Sequence, residues 1–298
     1  MTNTWRLPPW RQEKRPIAGW LLYLAALISI SIAQAQAADA EPQQTAPGKG
    51  GVYLVSVGPG APDLITVRAA EVLRRADRVF CYRWMKDELT PWVRPEVVEV
   101  ASPLLRGGHY FGADPEKLSD DQRVEAGRAH GELARLKNRI RELTEQGKTV
   151  VFADNGDPMI FSPWSWVPAQ LAEFDPIVVP GLSSFNAGNA AVKRSVAGRG
   201  YVILSSGIEM GSPDANGRLA GTVVFFTHRR KLDSLLPTLR ERYPADTPVA
   251  IVGDASYPAE KVVWGTLGSI LDVLGEEELP HLYLFYVGDS LAEGACCR

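Results

Sequence analysis

Val52-Tyr53-Leu54-Val55-Ser56-Val57-Gly58-Pro59-Gly60-Ala61-Pro62-Asp63 opens the folded part of this chain. The first six residues form a short apolar run rich in β-branched side chains, as in a strand buried within a parallel sheet. Gly58-Pro59-Gly60 supplies the tight turn that closes it. Asp63 is placed to cap a following helix, with Leu64, Val67 and Leu73 as its inward candidates. Further strands are expected at 79–82, 150–153 and 177–179, separated by an irregular, glycine-rich stretch over 102–118 and a long helix over 119–146. Leu133, Leu136, Ile140 and Leu143 give that helix its apolar stripe, and Gly147 its stop. Strands alternating with helices predict a mainly parallel sheet.

The rhythm changes after about residue 180. Runs at 201–205, 222–227, 248–252, 262–266 and 282–287 read as strands, with helices over 229–242 and 269–274. Strands this close in sequence imply some antiparallel pairing. The expected class is therefore α/β with two domains: a mainly parallel N-terminal sheet (51–170) and a mixed C-terminal sheet (171–298).

Composition narrows the function. Of 298 residues, 45% are hydrophobic and 22% charged, enough apolar surface to exclude disorder for the bulk. A net charge of −3 lacks the basic face of a nucleic-acid binder. Cys81, Cys296 and Cys297 are too few for a disulfide scaffold or a four-thiolate zinc site, and no metal is expected. Residues 1–38 join a basic start to an apolar run over 17–33 and end in Ala-Gln-Ala frames. They read either as an export signal or as an uncleaved anchor contacting the membrane through 17–37. Both readings place the rest of the chain outside the cytoplasm, as an exported, periplasmic protein or a membrane-anchored one. A mis-assigned start would leave it cytoplasmic. Residues 39–50 are a polar linker.

Three turns stand at expected strand ends. In the first, Gly58-Pro59-Gly60 is not a dinucleotide fingerprint. Asp63 occupies the place of the third glycine, and Pro59 removes an amide donor. The second is Asp154-Asn155-Gly156-Asp157-Pro158-Met159-Ile160-Phe161, at the sheet edge where α/β proteins bind ligands. The third is Val179-Pro180-Gly181-Leu182-Ser183-Ser184-Phe185-Asn186-Ala187, whose hydroxyls precede a helix of small residues. Each alone is also explained as a plain turn: an Asx turn at Asp157, an N-cap at Ser183.

Taken in order, these segments resemble the tetrapyrrole methylase family. YLVSVGPGAPDLITVRAAEVLRRADRVF is similar to its opening motif, NGDPMIF to its Gly-Asp-Pro loop, and VVPGLSSFNA to its Pro-Gly-x-Ser/Thr-Ser turn. GTVVFFTH stands where the family has a Thr-Leu-Val-x-Tyr-Met strand. TPVAIVGDASYPAEKVVWGTLGSI and LYLFYVGD are similar to its closing segments. The resemblance implies a two-domain α/β methyltransferase with its donor, S-adenosylmethionine, in a ligand cleft between the domains, a homodimer, and a small-molecule acceptor such as a tetrapyrrole. It implies donor contacts from Pro59, Asn155, Gly156, Asp157, Ile160, Ser183, Ser184, Thr227 and Ala255. Thr227 replaces a family methionine, and Tyr82 stands where sirohaem-type members have an aspartate proposed as proton acceptor. Tyr82, Arg106 and His109 are the expected acceptor contacts, Arg106 as partner of a carboxylate. The competing expectation is an exported, non-catalytic ligand-binding module on the same fold.

Overall fold

The computed structural model describes residues 50–292 except 107, 199, 207–216, 218, 220, 227–231 and 281. All belong to the second of two compact units, Lys49–Arg298; the first, Met1–Gly48, lies outside the described residues. The readings of the N-terminal segment, of Thr227, and of Cys296 and Cys297 therefore fall outside them.

The first sheet holds β1 (Gly51–Ser56), β2 (Arg78–Cys81), β3 (Val98–Val100), β4 (Thr149–Asp154) and β5 (Ile177–Val179), in the order β3-β2-β4-β1-β5. Every pairing is parallel. The central strands β1 and β4 are buried almost throughout, as a sheet covered on both faces requires. Tyr53, Val55, Val79, Val151 and Ala153 pack against Ala69, Val72 and Leu73 of helix α1 (Val67–Arg75). The alternate residues Val52, Leu54, Phe80, Val150 and Phe152 pack against Leu133, Leu136 and Ile140 of α2 (Asp120–Glu145). That division is the period-two alternation of a strand.

The long helix is bounded as its sequence signals indicate. Ser119 accepts from the Gln122 N–H, Gln122 returns the bond to the Ser119 N–H, and Gly147 turns the chain at φ +70°. The first helix differs from expectation. Pro62–Leu64 forms a separate 3-10 turn, and Thr66 caps α1 by accepting from the Ala69 N–H at 3.2 Å. Asp63 is not the cap. The later start rotates the helix, leaving Val67 77% exposed and burying Ala69 instead. Strand β3, an edge strand after the turn at Pro95–Val97, was not foreseen.

The second sheet contains β6 (Val202–Ser205), β7 (Thr222–Phe226), β8 (Pro248–Gly253), β9 (Lys261–Thr266) and β10 (Tyr283–Val287), ordered β6-β7-β10-β8-β9. Only β6 and β7 pair in parallel; β10 runs antiparallel to β7 and β8, and β8 to β9. One face packs against a helix over Leu232–Arg242. The other carries Val192 of the helix Ser184–Val192, which follows β5 and links the sheets. Gly188 of that helix lies so close to β10 that a Cβ there would sit 2.3 Å from the Tyr286 hydroxyl. The small residues read from sequence thus serve a close helix–sheet contact.

Candidate functional site

The loops after β1, β4 and β5 leave the same edge of the first sheet and meet at Ser56. This buried hydroxyl donates to the Gly156 carbonyl at 2.5 Å and accepts from the Gly58 N–H at 3.3 Å. Gly156 in turn donates its N–H to the Gly58 carbonyl at 2.8 Å. Gly181 passes so near that a Cβ would lie 2.0 Å from the Ser56 oxygen. Gly58 and Gly156 both adopt left-handed φ, +90° and +73°, conformations that glycine tolerates without a Cβ penalty. Three turns, the first a hundred residues from the second, are thereby locked into one surface.

That surface is one wall of a cleft of about 760 Å³ between the two sheets. Pro59, Asn155, Gly156, Asp157, Ser183 and Ser184 line it from the first half, and Ala255 from the loop after β8. Ile160 is not among the lining residues; it sits half-exposed in the turn where Asp157 accepts from the Met159 and Ile160 N–H groups. Ser183 both lines the cleft and caps its helix, accepting from the Phe185 N–H.

The opposite wall is held to the first by two polar straps. Ala61 donates its N–H to Ser256 Oγ at 3.2 Å, and the Tyr257 hydroxyl donates to Glu88 at 3.4 Å. Asp254 and Ser256 are non-glycine residues at φ +47° and +72°, local strain of the kind that clusters at ligand sites. Glu88, Asp157 and Asp254 bring carboxylates to the cleft, and Arg106 a guanidinium. Burial raises the Glu88 pKa, partly offset by the Tyr257 hydroxyl.

The three expected acceptor contacts separate. Arg106 lines the cleft, its guanidinium 4.6 Å over the Trp84 ring. Tyr82 does not face it. The side chain is buried between Trp84 and Trp164, its hydroxyl turned to the carbonyls of Leu105 and Pro163. Trp84, stacked on it 3° from parallel, takes the cleft-facing position instead. Burial first, and the Asp154 carboxylate second, push the Tyr82 phenol far above its usual range. His109 is exposed, against Tyr110, and is not among the lining residues.

Ser162, in the wall, and Asp154, buried behind it, are two residues without an expected role. Asp154 ends β4 at 0% exposure, and burial drives its pKa up to about 7 against the opposing pull of Ser162 and the Asn155 N–H. Ser162, which lines the cleft, donates to Asp154 Oδ2 and accepts from the Trp164 N–H at 2.8 Å. Asp154 Oδ1 has no hydrogen-bond partner. An acid at the end of the apolar run over 150–153 was the available signal. Among the described residues no His, Cys, Asp and Glu cluster is arranged to hold a metal.

The "Tetrapyrrole (Corrin/Porphyrin) Methylases" family matches residues 51–271. A precorrin-4 C(11)-methyltransferase of Mycobacterium tuberculosis is 27% identical over 261 residues, 82% of this chain and 92% of its own. Among solved structures, a cobalt precorrin-4 methyltransferase superposes with TM-score 0.60 at 22% identity, over 81% of this chain and 95% of the other. The uroporphyrin-III C-methyltransferase of Thermus thermophilus, solved with S-adenosylhomocysteine, gives 0.57 at 23% identity, over 81% and 93%. With its parallel sheet, mixed sheet and intervening cleft, this chain belongs to the tetrapyrrole methylase family.

Proposed function

We propose that this protein transfers the methyl group of S-adenosylmethionine to a tetrapyrrole acceptor in the cleft between its sheets. One observation carries the reading: seven of the nine expected donor contacts line a single cleft, although they come from four separate loops. The volume suits a nucleoside-sized ligand with part of a second one. Gly156 leaves a backbone cradle beside the Ser184 N–H that a side chain would fill. Carboxylates at Glu88, Asp157 and Asp254 suit a cationic donor.

When bound, S-adenosylmethionine supplies a methyl group already made electrophilic by its sulfonium. This chain's residues have to align and to exclude water. Pro59, Gly156, Asp157 and Ser183 hold the donor against the first wall. Trp84 presents a flat ring to a macrocycle, and Arg106 a charge for its carboxylates. The relatives named above for precorrin-4 and uroporphyrin III support this substrate class.

Calorimetric titration of the full chain with S-adenosylhomocysteine tests the reading. Saturable binding at micromolar ligand is expected; absence of heat at millimolar ligand would overturn it. A homodimer and an exported or membrane-anchored location, carried by the family resemblance and by residues 1–38, belong to the same proposal. Sedimentation of the purified chain and compartment-specific reporters fused after residue 298 are their tests.

A further inference from the structure

We propose that Ser162 and Asp154 form the proton acceptor of the reaction, Ser162 touching the methyl acceptor and Asp154 holding the proton behind it. The inference rests on the methyltransferase reading and adds the group that closes its proton balance. When a substituted ring carbon of the macrocycle is methylated, a π electron pair forms the bond to methyl and leaves the ring cationic, and a ring N–H or bridging C–H bond breaks to restore neutrality. The sulfur–methyl bond breaks with its electron pair returning to sulfur, and one proton has to leave. Ser162 Oγ takes that proton while its own passes to Asp154 Oδ2. The positive charge lost from sulfur and the negative charge lost from Asp154 cancel within the cleft. After the product departs, Asp154 gives the proton to water.

Hydrogen-bond bookkeeping at Ser162 supports this. The hydroxyl has one proton and two lone pairs. With Asp154 ionised, the proton is committed to Oδ2 and one lone pair to the Trp164 N–H. The second lone pair is left for the cleft, which Ser162 lines, and it accepts. With Asp154 protonated, the Asp154 O–H fills that lone pair and the serine proton turns to the cleft, so the hydroxyl donates. The pair therefore reverses polarity with one proton.

Asp154 is suited to the role because it is wholly buried, Oδ1 has no hydrogen-bond partner, and its pKa stands near neutrality. The groups facing it are the Ser162 hydroxyl, the Asn155 N–H and the Tyr82 phenol, with Arg106 acting on Tyr82 from beyond. Tyr82 cannot take the proton, because its phenol stays protonated and points to backbone carbonyls. In the cleft, Asp157 is engaged by the Met159 N–H and Glu88 by Tyr257. Ser162 is thus the catalytic residue, and Asp154 a positioning residue acting through it.

The test uses the full chain with Asp154→Asn and Ser162→Ala, each first shown to keep the parent's circular dichroism and S-adenosylhomocysteine binding, with Ser162→Thr, which keeps the hydroxyl, as the conservative control. Infrared difference spectra across about pH 5 to 9 should show a carboxyl titration absent in Asp154→Asn and moved to higher pH in Ser162→Ala, which loses the bond favouring the ionised form. With S-adenosylmethionine and uroporphyrinogen III, kcat should fall on the acid side with the same midpoint. Asp154→Asn and Ser162→Ala should both lose that limb and at least tenfold in kcat, with KM for the donor little changed. A titration that Ser162→Ala leaves in place, or an unaltered acid limb in Asp154→Asn, overturns the inference. Failure of the unsubstituted chain to turn over uroporphyrinogen III overturns the substrate reading instead, and the infrared arm still decides the pair.

Discussion

Asp154 carries a cost that its surroundings do not remove. The unfolded chain ionises this carboxyl near ~4, whereas in the folded protein it titrates at about 7. Between those values the folded state holds the extra proton, so its stability falls as pH rises and is lowest above the folded pKa. Asp154→Asn abolishes the ionisation. Its stability relative to the parent should grow from about pH 4 to 7, reaching up to about 4 kcal/mol. Urea midpoints at acid and alkaline pH measure this; a difference that does not change with pH would remove burial as the cause. A residue kept at a stability penalty, beside a cleft, is what function rather than folding explains. Its sequence context showed an acid at a strand end, but burial and the Ser162 bond come from packing across the loop. Tyr82 illustrates the reverse. Its position matched a family aspartate, yet a ring between two tryptophans is claimed by the core.

At the scale of elements, the glycines divide by what surrounds them. Gly181→Ala would drive a methyl group into the Ser56 hydroxyl and part the loops after β1 and β5. The expected cost is about 1–3 kcal/mol in stability together with weaker S-adenosylhomocysteine binding. Gly127, exposed within α2, has open space where its Cβ would be. Gly127→Ala should therefore stabilise by about 0.5–1 kcal/mol and leave ligand affinity unchanged. Thermal melts and calorimetry on the two variants separate a glycine needed for close approach from one tolerated in a helix. Helix α2 was readable to its ends because its signals are local: a capping box at Ser119 and a left-handed glycine at 147. Helix α1 was not, because Pro62 diverts the chain into a 3-10 turn and Thr66 displaces Asp63 as the cap.

For the whole molecule, the straps at Ser256 and Tyr257 join loops 195 and 169 residues apart in sequence, so a ligand in the cleft contacts walls that the chain connects only remotely. Saturating S-adenosylhomocysteine should raise the melting temperature, contributing about 2.7 kcal/mol at a hundredfold excess over Kd. Ser256→Ala should diminish that gain, since the Ala61 N–H loses its partner. A shift equal to the parent's would show that the strap plays no part in binding. Periodicity, turn chemistry and motif order in the sequence alone determined every strand but the edge strand β3, the long helix and the loops that line the cleft, because each is written within a few consecutive residues. Tertiary structure alone decided the meeting of three loops on Ser56, the withdrawal of Tyr82 behind Trp84, and the burial of Asp154 against Ser162. Those contacts depend on which strands lie side by side, and that order is set by packing over separations of up to a hundred residues and more.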